Sequence, residues 1–163
     1  MMDYNQAEYL ADTYADLILR LSYTYLKNTH DAQDICQTVF VRLLTRPIQF
    51  DSPAHEKAYI IRMTINGCKD MLKSPWRKKT CGLDVVADIP APEPNEHSVL
   101  YFVQNLPVRY RTVIYLYYYE EYSAQEIGQL LGISTAAVHT RLSRGRTLLK
   151  KQLGGDDYAQ RIK

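Results

Sequence analysis

The chain has 163 residues, of which 46% are hydrophobic and 23% charged, and such fractions are typical of a folded globular protein and exclude wholesale disorder. This length suits one domain or two small ones. The formal net charge of +2 arises from 20 basic and 18 acidic residues, and by itself it indicates no partner of either sign.

The first half of the chain is predicted to form a small helical bundle. Apolar residues recur at three- and four-residue steps in three segments, 6–27, 30–45 and 55–72. Asn28 and Thr29 stop the first segment, and Pro47 ends the second. Three helices joined by short loops make a bundle, which we assign to residues 1–79.

The second half is predicted to form a separate helical domain. Residues 80–96 contain three prolines and no apolar periodicity, so they are predicted to be a flexible linker. Four helices are predicted beyond it, at 97–105, 107–120, 124–131 and 135–151. The predicted fold class is therefore all-α, with two small helical domains, the second at 97–153, and a mobile tail at 154–163.

Basic residues are concentrated in two zones. Lys69–Lys79 contains five basic residues and one acidic residue, whereas Arg141–Lys151 contains five basic residues and no acidic one. The linker at 80–96 contains four acidic residues and no basic one. This arrangement is expected when two surfaces bind the phosphates of a nucleic acid and the segment between them does not. The alternative is that the basic residues simply lie at solvated helix ends.

Three features predict a helix-turn-helix near the C-terminus. Ser123-Ala124-Gln125-Glu126 is a capping box, which marks the start of a helix. Gly132-Ile133-Ser134 makes a three-residue turn whose glycine suits a positive φ. The next helix turns apolar residues inward and leaves a small, polar and basic outer face. A generic amphipathic hairpin is the alternative interpretation.

Such an outer face can enter the major groove of DNA. His139 and Thr140 can reach base edges, while the arginines can engage phosphates. The candidate contacts to duplex DNA are Ser123, Thr135, Ala136, His139, Thr140, Arg141, Ser143, Arg144 and Arg146.

The same residues resemble a known family. The run Tyr122–Ser134, followed by Val138–Arg146, resembles the fourth conserved region of extracytoplasmic-function sigma factors, and His30–Phe40 resembles a helix of their second region. The resemblance extends from about Tyr14 to Leu153. It implies a transcription initiation factor, not an enzyme, that directs core RNA polymerase to specific promoters. Its N-terminal domain would dock on the polymerase and melt minus-ten DNA, and its helix-turn-helix would read the minus-thirty-five duplex.

The resemblance also implies two sites in the N-terminal domain. Docking on the clamp helices of the largest polymerase subunit is expected to use Asp31, Asp34, Gln37, Thr38 and Arg42. The segment that begins at Ala58 is similar to the minus-ten segment of the family, and its expected contacts are Tyr59, Arg62, Asn66, Lys69, Lys73 and Arg77. Tyr59 stands where the family usually has Trp, and Ala137 and His139 stand where Thr and Lys are common. The resemblance therefore predicts no promoter sequence.

The sequence leaves a second function class and a second role for one helix open. A stand-alone helix-turn-helix regulator with an N-terminal helical dimerisation or sensing domain is the main alternative. Catalysis is not expected, because the sequence has no HExxH helix, no phosphate-binding glycine loop and no GxSxG elbow. The tyrosine-rich helix is expected to pack its rings and leave its hydroxyls in water. Alternatively, this helix provides a face that packs on the other domain or on an anti-sigma factor in the inactive state.

Cysteines and hydropathy favour the cytoplasm. Cys36, Cys68 and Cys81 include no close pair, so neither a disulfide framework nor a zinc knuckle is indicated, and His97 and His139 are not expected to bind metal with them. No apolar run approaches the roughly 20 residues that span a bilayer, and the N-terminus is acidic where a signal peptide is basic. We expect a cytoplasmic protein with no metal, no cofactor and no membrane insertion.

Overall fold

The structure is a computed structural model that describes residues 3–46, 48–74 and 98–154. Within these ranges every regular element is helical, which confirms the all-α prediction. The helices fall into two compact units. The predicted linker at 80–96 and nearly all of the tail lie outside the described residues, as do Pro47 and Arg77. The predicted domain boundaries stay a prediction.

The first unit contains three helices, α1 (Tyr4–Leu26), α2 (Thr29–Thr45) and α3 (Pro53–Lys73). Each begins directly after a polar N-cap residue, Asp3, Asn28 or Ser52, whose side chain accepts a backbone N–H from three residues further on. Each helix therefore starts one or two residues before the first residue that apolar periodicity had predicted. Hydrogen bonding by the caps, rather than burial, decides these starts.

Apolar side chains on the facing sides of the three helices form the core of the first unit. Ile18 and Leu21 of α1 and Ile60 and Ile65 of α3 are completely buried. The apolar recurrence predicted over 30–45 is confirmed in α2, where four residues at such steps are buried, Ala32, Ile35, Val39 and Leu43. The helix faces predicted from spacing are thus the ones that pack.

A carboxylate joins α1 to the start of α3. Glu56 Oε1 accepts hydrogen bonds from the hydroxyls of Tyr14, at 2.7 Å, and Tyr9, at 3.2 Å. Burial, together with the neighbouring Glu56, raises the pKa of Tyr14 well above its ordinary value. The contact fixes the beginning of α3, the helix that carries the predicted minus-ten residues.

The second unit contains four α-helices among the described residues, α4 (Val99–Gln104), α5 (Val108–Ile114), α6 (Ala124–Leu131) and α7 (Thr135–Leu153). The predicted continuous helix at 107–120 was wrong in its second half, where Tyr115–Tyr119 form a π-helical turn. There Glu120 N–H donates to the carbonyl of Tyr115, five residues back, and Glu121 leaves the turn with φ +59°. Consecutive aromatic residues are weak α-helix formers, which favours the wider π-helical turn over a continued α-helix.

The long helix α7 packs against α4, α5 and α6 and organises this unit. Val138, Leu142 and Leu149 are buried on its inner side, as predicted. Within the described residues no helix has the length and apolar character needed to cross a membrane.

Candidate nucleic-acid and polymerase interfaces

The predicted helix-turn-helix forms from α6, a short turn and α7. Ser123 Oγ accepts the Glu126 N–H at 3.2 Å while Glu126 Oε2 accepts the Ser123 N–H at 2.8 Å, so the capping box is confirmed. Gly132 ends α6 with φ +70°, and Ser134 caps α7 by accepting the Ala137 N–H. Local chemistry therefore sets both ends of the turn.

Gly128 is a structural residue of this motif that the sequence analysis missed. A Cβ at this position would lie 2.8 Å from the carbonyl oxygen of Ile133 in the turn. That carbon would contact backbone, which cannot rotate away as a side chain can. The Ile133 N–H also donates to the Gly128 carbonyl at 3.0 Å. Close approach of α6 to the turn thus requires glycine here.

The outer face of α7 is open to solvent. Six of the nine predicted duplex contacts are exposed on it: Thr135, Ala136, His139, Thr140, Ser143 and Arg144. Arg141 is half-buried at its edge, whereas Ser123 lies outside α7 and its hydroxyl oxygen accepts the capping hydrogen bond. The first turns of the face carry small side chains, so a duplex can approach closely.

Arg146 differs from the other predicted contacts because it is held against tyrosines. Its Nε–H donates to the hydroxyl oxygen of Tyr118 at 2.8 Å. Its guanidinium carbon lies 5.6 Å from the ring centroid of Tyr118 and 5.7 Å from that of Tyr117, distances typical of cation–π contacts.

The other tyrosines of this region mostly serve the packing of the second unit. Tyr110 and Tyr115 are buried, and Tyr115 stacks on Tyr119, which is 44% exposed. Burial, with Glu120 and Glu126 nearby, raises the pKa of Tyr122 to about 12. The expected packing of rings is found. The expectation that the hydroxyls stay in water is wrong for Tyr118, whose oxygen accepts from Arg146, and for Tyr115, which donates to Glu120 Oε1 at 3.0 Å.

In the first unit, α3 presents the predicted minus-ten residues along one side. Tyr59, Arg62, Asn66, Lys69 and Lys73 follow one another at steps of three and four, so they share a helix face. Arg62, Asn66 and Lys73 are exposed, while Tyr59 and Lys69 are half-buried. This side of α3 thus offers an aromatic ring, an amide and cationic side chains.

An open groove of about 560 Å³ lies between this side of α3 and the end of α2. Its lining is Arg42, Thr45, Arg46, Ile48, Tyr59, Arg62, Met63 and Asn66. The Tyr59 ring lies 5.4 Å from the ring of Phe50, centroid to centroid. Three further residues at this groove were not predicted, because their sequence signal was only a place in the loop between two assigned helices: Arg46, Ile48 and Phe50.

The outer side of α2 carries most of the predicted docking residues. Asp34, Gln37 and Thr38 are exposed and Asp31 is half-buried. Val41, also missed, continues this side one turn on from Thr38 and is 57% exposed. Arg42, which was predicted only as a docking residue, also lines the groove between α2 and α3.

The described cysteines are poorly suited to chemistry. Cys68 is completely buried, and burial raises the pKa of the half-buried Cys36 thiol. No group of three or more potential metal ligands occurs within the described ranges. Cys81 and His97 lie outside these ranges.

The sequence matches two family models. Residues 10–78 match Sigma-70 region 2, and residues 97–149 match Sigma-70, region 4. The chain is 33% identical over 164 residues to the ECF RNA polymerase sigma factor SigW of Bacillus subtilis, which covers 88% of this chain and 87% of that protein. It is 30% identical over 155 residues to the ECF RNA polymerase sigma factor SigE of Mycolicibacterium smegmatis, covering 88% of this chain and 60% of that protein.

The fold is also similar to a solved structure. In a co-crystal structure, the sigma factor RpoE is in complex with the anti-sigma factor NepR from Bartonella quintana. The TM-score is 0.71 at 15% identity, with 91% of this chain and 97% of that chain covered. The chain therefore belongs to the extracytoplasmic-function RNA polymerase sigma factors, which are transcription initiation factors that direct core RNA polymerase to promoters, and it is not a stand-alone regulator.

Proposed function

We propose that the two units divide the work of promoter recognition. The helical bundle, residues 1–79, docks on core polymerase and holds the opened minus-ten strand. The domain at 97–153 reads the minus-thirty-five duplex, and 80–96 links the two. The chain works in the cytoplasm, has no catalytic activity of its own and is held inactive by an anti-sigma factor.

The groove between α2 and α3 is the observation that carries this proposal. A protein that holds single-stranded DNA needs an aromatic face for an unstacked base and cations for the backbone. Tyr59 supplies the ring, while Arg42, Arg46 and Arg62 supply positive charge on the lining of the same groove. The Asn66 amide can donate to and accept from a base edge.

The α7 face supports the duplex-reading part. Thr135 and Ala136 are short and lie at the N-terminal end, where a recognition helix contacts bases. His139 and Thr140 follow within reach of base edges, and Arg144 is exposed for a phosphate. Phosphate contacts fix the orientation, and the residues nearer the groove floor carry the sequence preference.

The α2 face supports the docking part. Its exposed side combines a carboxylate, an amide and a hydroxyl with the apolar Val41. Mixed polar contacts around an apolar centre are typical of protein interfaces. Val41 adds an exposed apolar side chain to the side of α2 that carries Thr38, which a docking face would bury.

Gel filtration with core RNA polymerase freed of other sigma factors tests this assignment. We expect the wild-type chain to co-migrate with core and Asp34→Arg to bind at least about tenfold more weakly, because reversing an interface charge creates repulsion. Asp16→Arg is the matched control, since Asp16 is exposed on α1 outside every proposed site. Co-migration of Asp34→Arg at the wild-type level would show that α2 is not the docking face. If the wild-type chain does not bind core, the whole proposal is wrong.

A further inference from the structure

Arg146 extends the DNA-facing side of α7 toward its C-terminal half. It lies seven residues after His139 and three after Ser143, so it shares their side of the helix at a later turn. It is half-buried, whereas Arg144 is exposed. Its guanidinium is therefore at the border between the outer face and the tyrosines of the π-helical turn.

Neutral groups hold this guanidinium. The Tyr118 hydroxyl accepts its Nε–H, and the rings of Tyr117 and Tyr118 lie beside it. The two rings contact each other edge to face, with 4.9 Å between their centroids. Within the described part of the chain, Arg146 forms no ion pair. Because the hydrogen bond uses Nε–H, the N–H groups on both Nη atoms are left for another acceptor. The side chain is thus held in place, and no carboxylate of the described residues neutralises its charge.

We propose that Tyr118 is a positioning residue that directs Arg146 to a backbone phosphate of the duplex bound by α7. The inference rests on the proposed function, because it needs DNA on this face. A long cationic side chain loses conformational freedom when it binds a phosphate. Ordering by Tyr118 before DNA arrives removes part of that loss, so the hydroxyl contributes to affinity without touching DNA.

Binding of the full chain to a mixed-sequence DNA duplex at several low salt concentrations tests the proposal. We expect Arg146→Ala to reduce the slope of log affinity against log salt by about 0.9, the value for one lost phosphate contact. We expect Tyr118→Phe to weaken binding about fivefold, as for one side chain that is no longer ordered beforehand. Combined with Arg146→Ala, Tyr118→Phe should have no further effect. Tyr117→Phe is the control, because it keeps the ring and leaves the Tyr118–Arg146 hydrogen bond intact.

A merely structural role for the Tyr118 hydroxyl would weaken binding equally with or without Arg146, alongside a lower melting temperature. That result, or a Tyr118→Phe variant that binds like wild type, overturns the proposal. The Arg144→Ala variant tells whether only the positioning role of Tyr118 is wrong or the DNA-reading role of α7 is wrong as well. If Arg144→Ala also leaves duplex binding unchanged, α7 is not the DNA-reading face. If only Arg144→Ala weakens binding, the face is correct and the positioning role is wrong.

Discussion

Glu121 illustrates how a single backbone conformation shapes the second unit. Its φ of +59° lies in the left-handed region, which non-glycine residues rarely adopt. The residue follows the π-helical turn and precedes the capped start of α6 by two positions. Its conformation therefore turns the chain from the tyrosine segment into the helix-turn-helix. The side chain is exposed, so nothing in the packing requires a glutamate there.

Replacing this residue with glycine should stabilise the protein. We expect Glu121→Gly to raise the free energy of unfolding by about 0.5 to 1 kcal/mol, because glycine adopts positive φ without the Cβ penalty. Urea denaturation measures the change. Glu120→Gly is the control and should be destabilising, since Glu120 has negative φ and accepts the Tyr115 hydroxyl. A loss of stability in both variants would contradict the interpretation of Glu121.

At the scale of elements, the helix-turn-helix depends on how closely α6 approaches its own turn. The Gly128 carbonyl accepts the Ile133 N–H, and the missing Cβ leaves room for the Ile133 carbonyl. The position of α7 on α6 follows from this contact. Gly145 shows a related close approach of α7 to α5, but there an added Cβ would meet the end of the Ile114 side chain.

A methyl group at Gly128 should open the turn. We expect Gly128→Ala to lower the free energy of unfolding by about 2 kcal/mol, since the clash is with backbone and overpacking of this kind typically costs 1 to 3 kcal/mol. Thermal unfolding and duplex binding should both reveal the change. Gln125→Ala, at an exposed position of the same helix, should stay within about 0.5 kcal/mol of wild type. Equal stability of the two variants would mean that α6 and its turn can separate at no cost.

At the scale of the whole molecule, two units carry surfaces suited to two forms of DNA. The first unit has a groove with an aromatic ring and arginines, and the second has an exposed recognition helix. Single strands are bound by stacking and charge, whereas duplexes are read through grooves and phosphates. The two activities should therefore be separable by substitution.

Separate variants should remove one activity each. We expect Tyr59→Ala to weaken binding of the full chain to a mixed-sequence single strand about tenfold, the size of one lost base–ring stack, while duplex binding is unchanged. Arg144→Ala should weaken duplex binding and leave single-strand binding unchanged. Fluorescence anisotropy at low salt measures both affinities. Tyr59→Phe should bind a single strand like wild type, because it keeps the ring. Parallel losses for both DNA forms in both variants would argue against a division of labour.

Much of this fold was determined by the sequence alone, because its signals act over a few residues. Caps at Ser123 and Ser134, the glycine at Gly132 and apolar spacing predicted α6 and α7 at the ends where they occur or within two residues of them. The same spacing predicted the buried apolar residues of α2, whereas the polar residues expected along α3 came from the family resemblance. The π-helical turn was not foreseen, since the pattern at 107–120 predicted a continuous α-helix and gave no signal of a five-residue hydrogen bond.

Only the tertiary structure decided which distant side chains meet. Arg42, which the family resemblance assigned to docking, lines a groove with Tyr59 and Arg62 of α3. Arg146, assigned to phosphate by its place on α7, bonds to Tyr118, 28 residues earlier. Helical periodicity tells which side of a helix a residue occupies. It does not tell which other helix packs beside that side, because the packing of whole helices sets that contact.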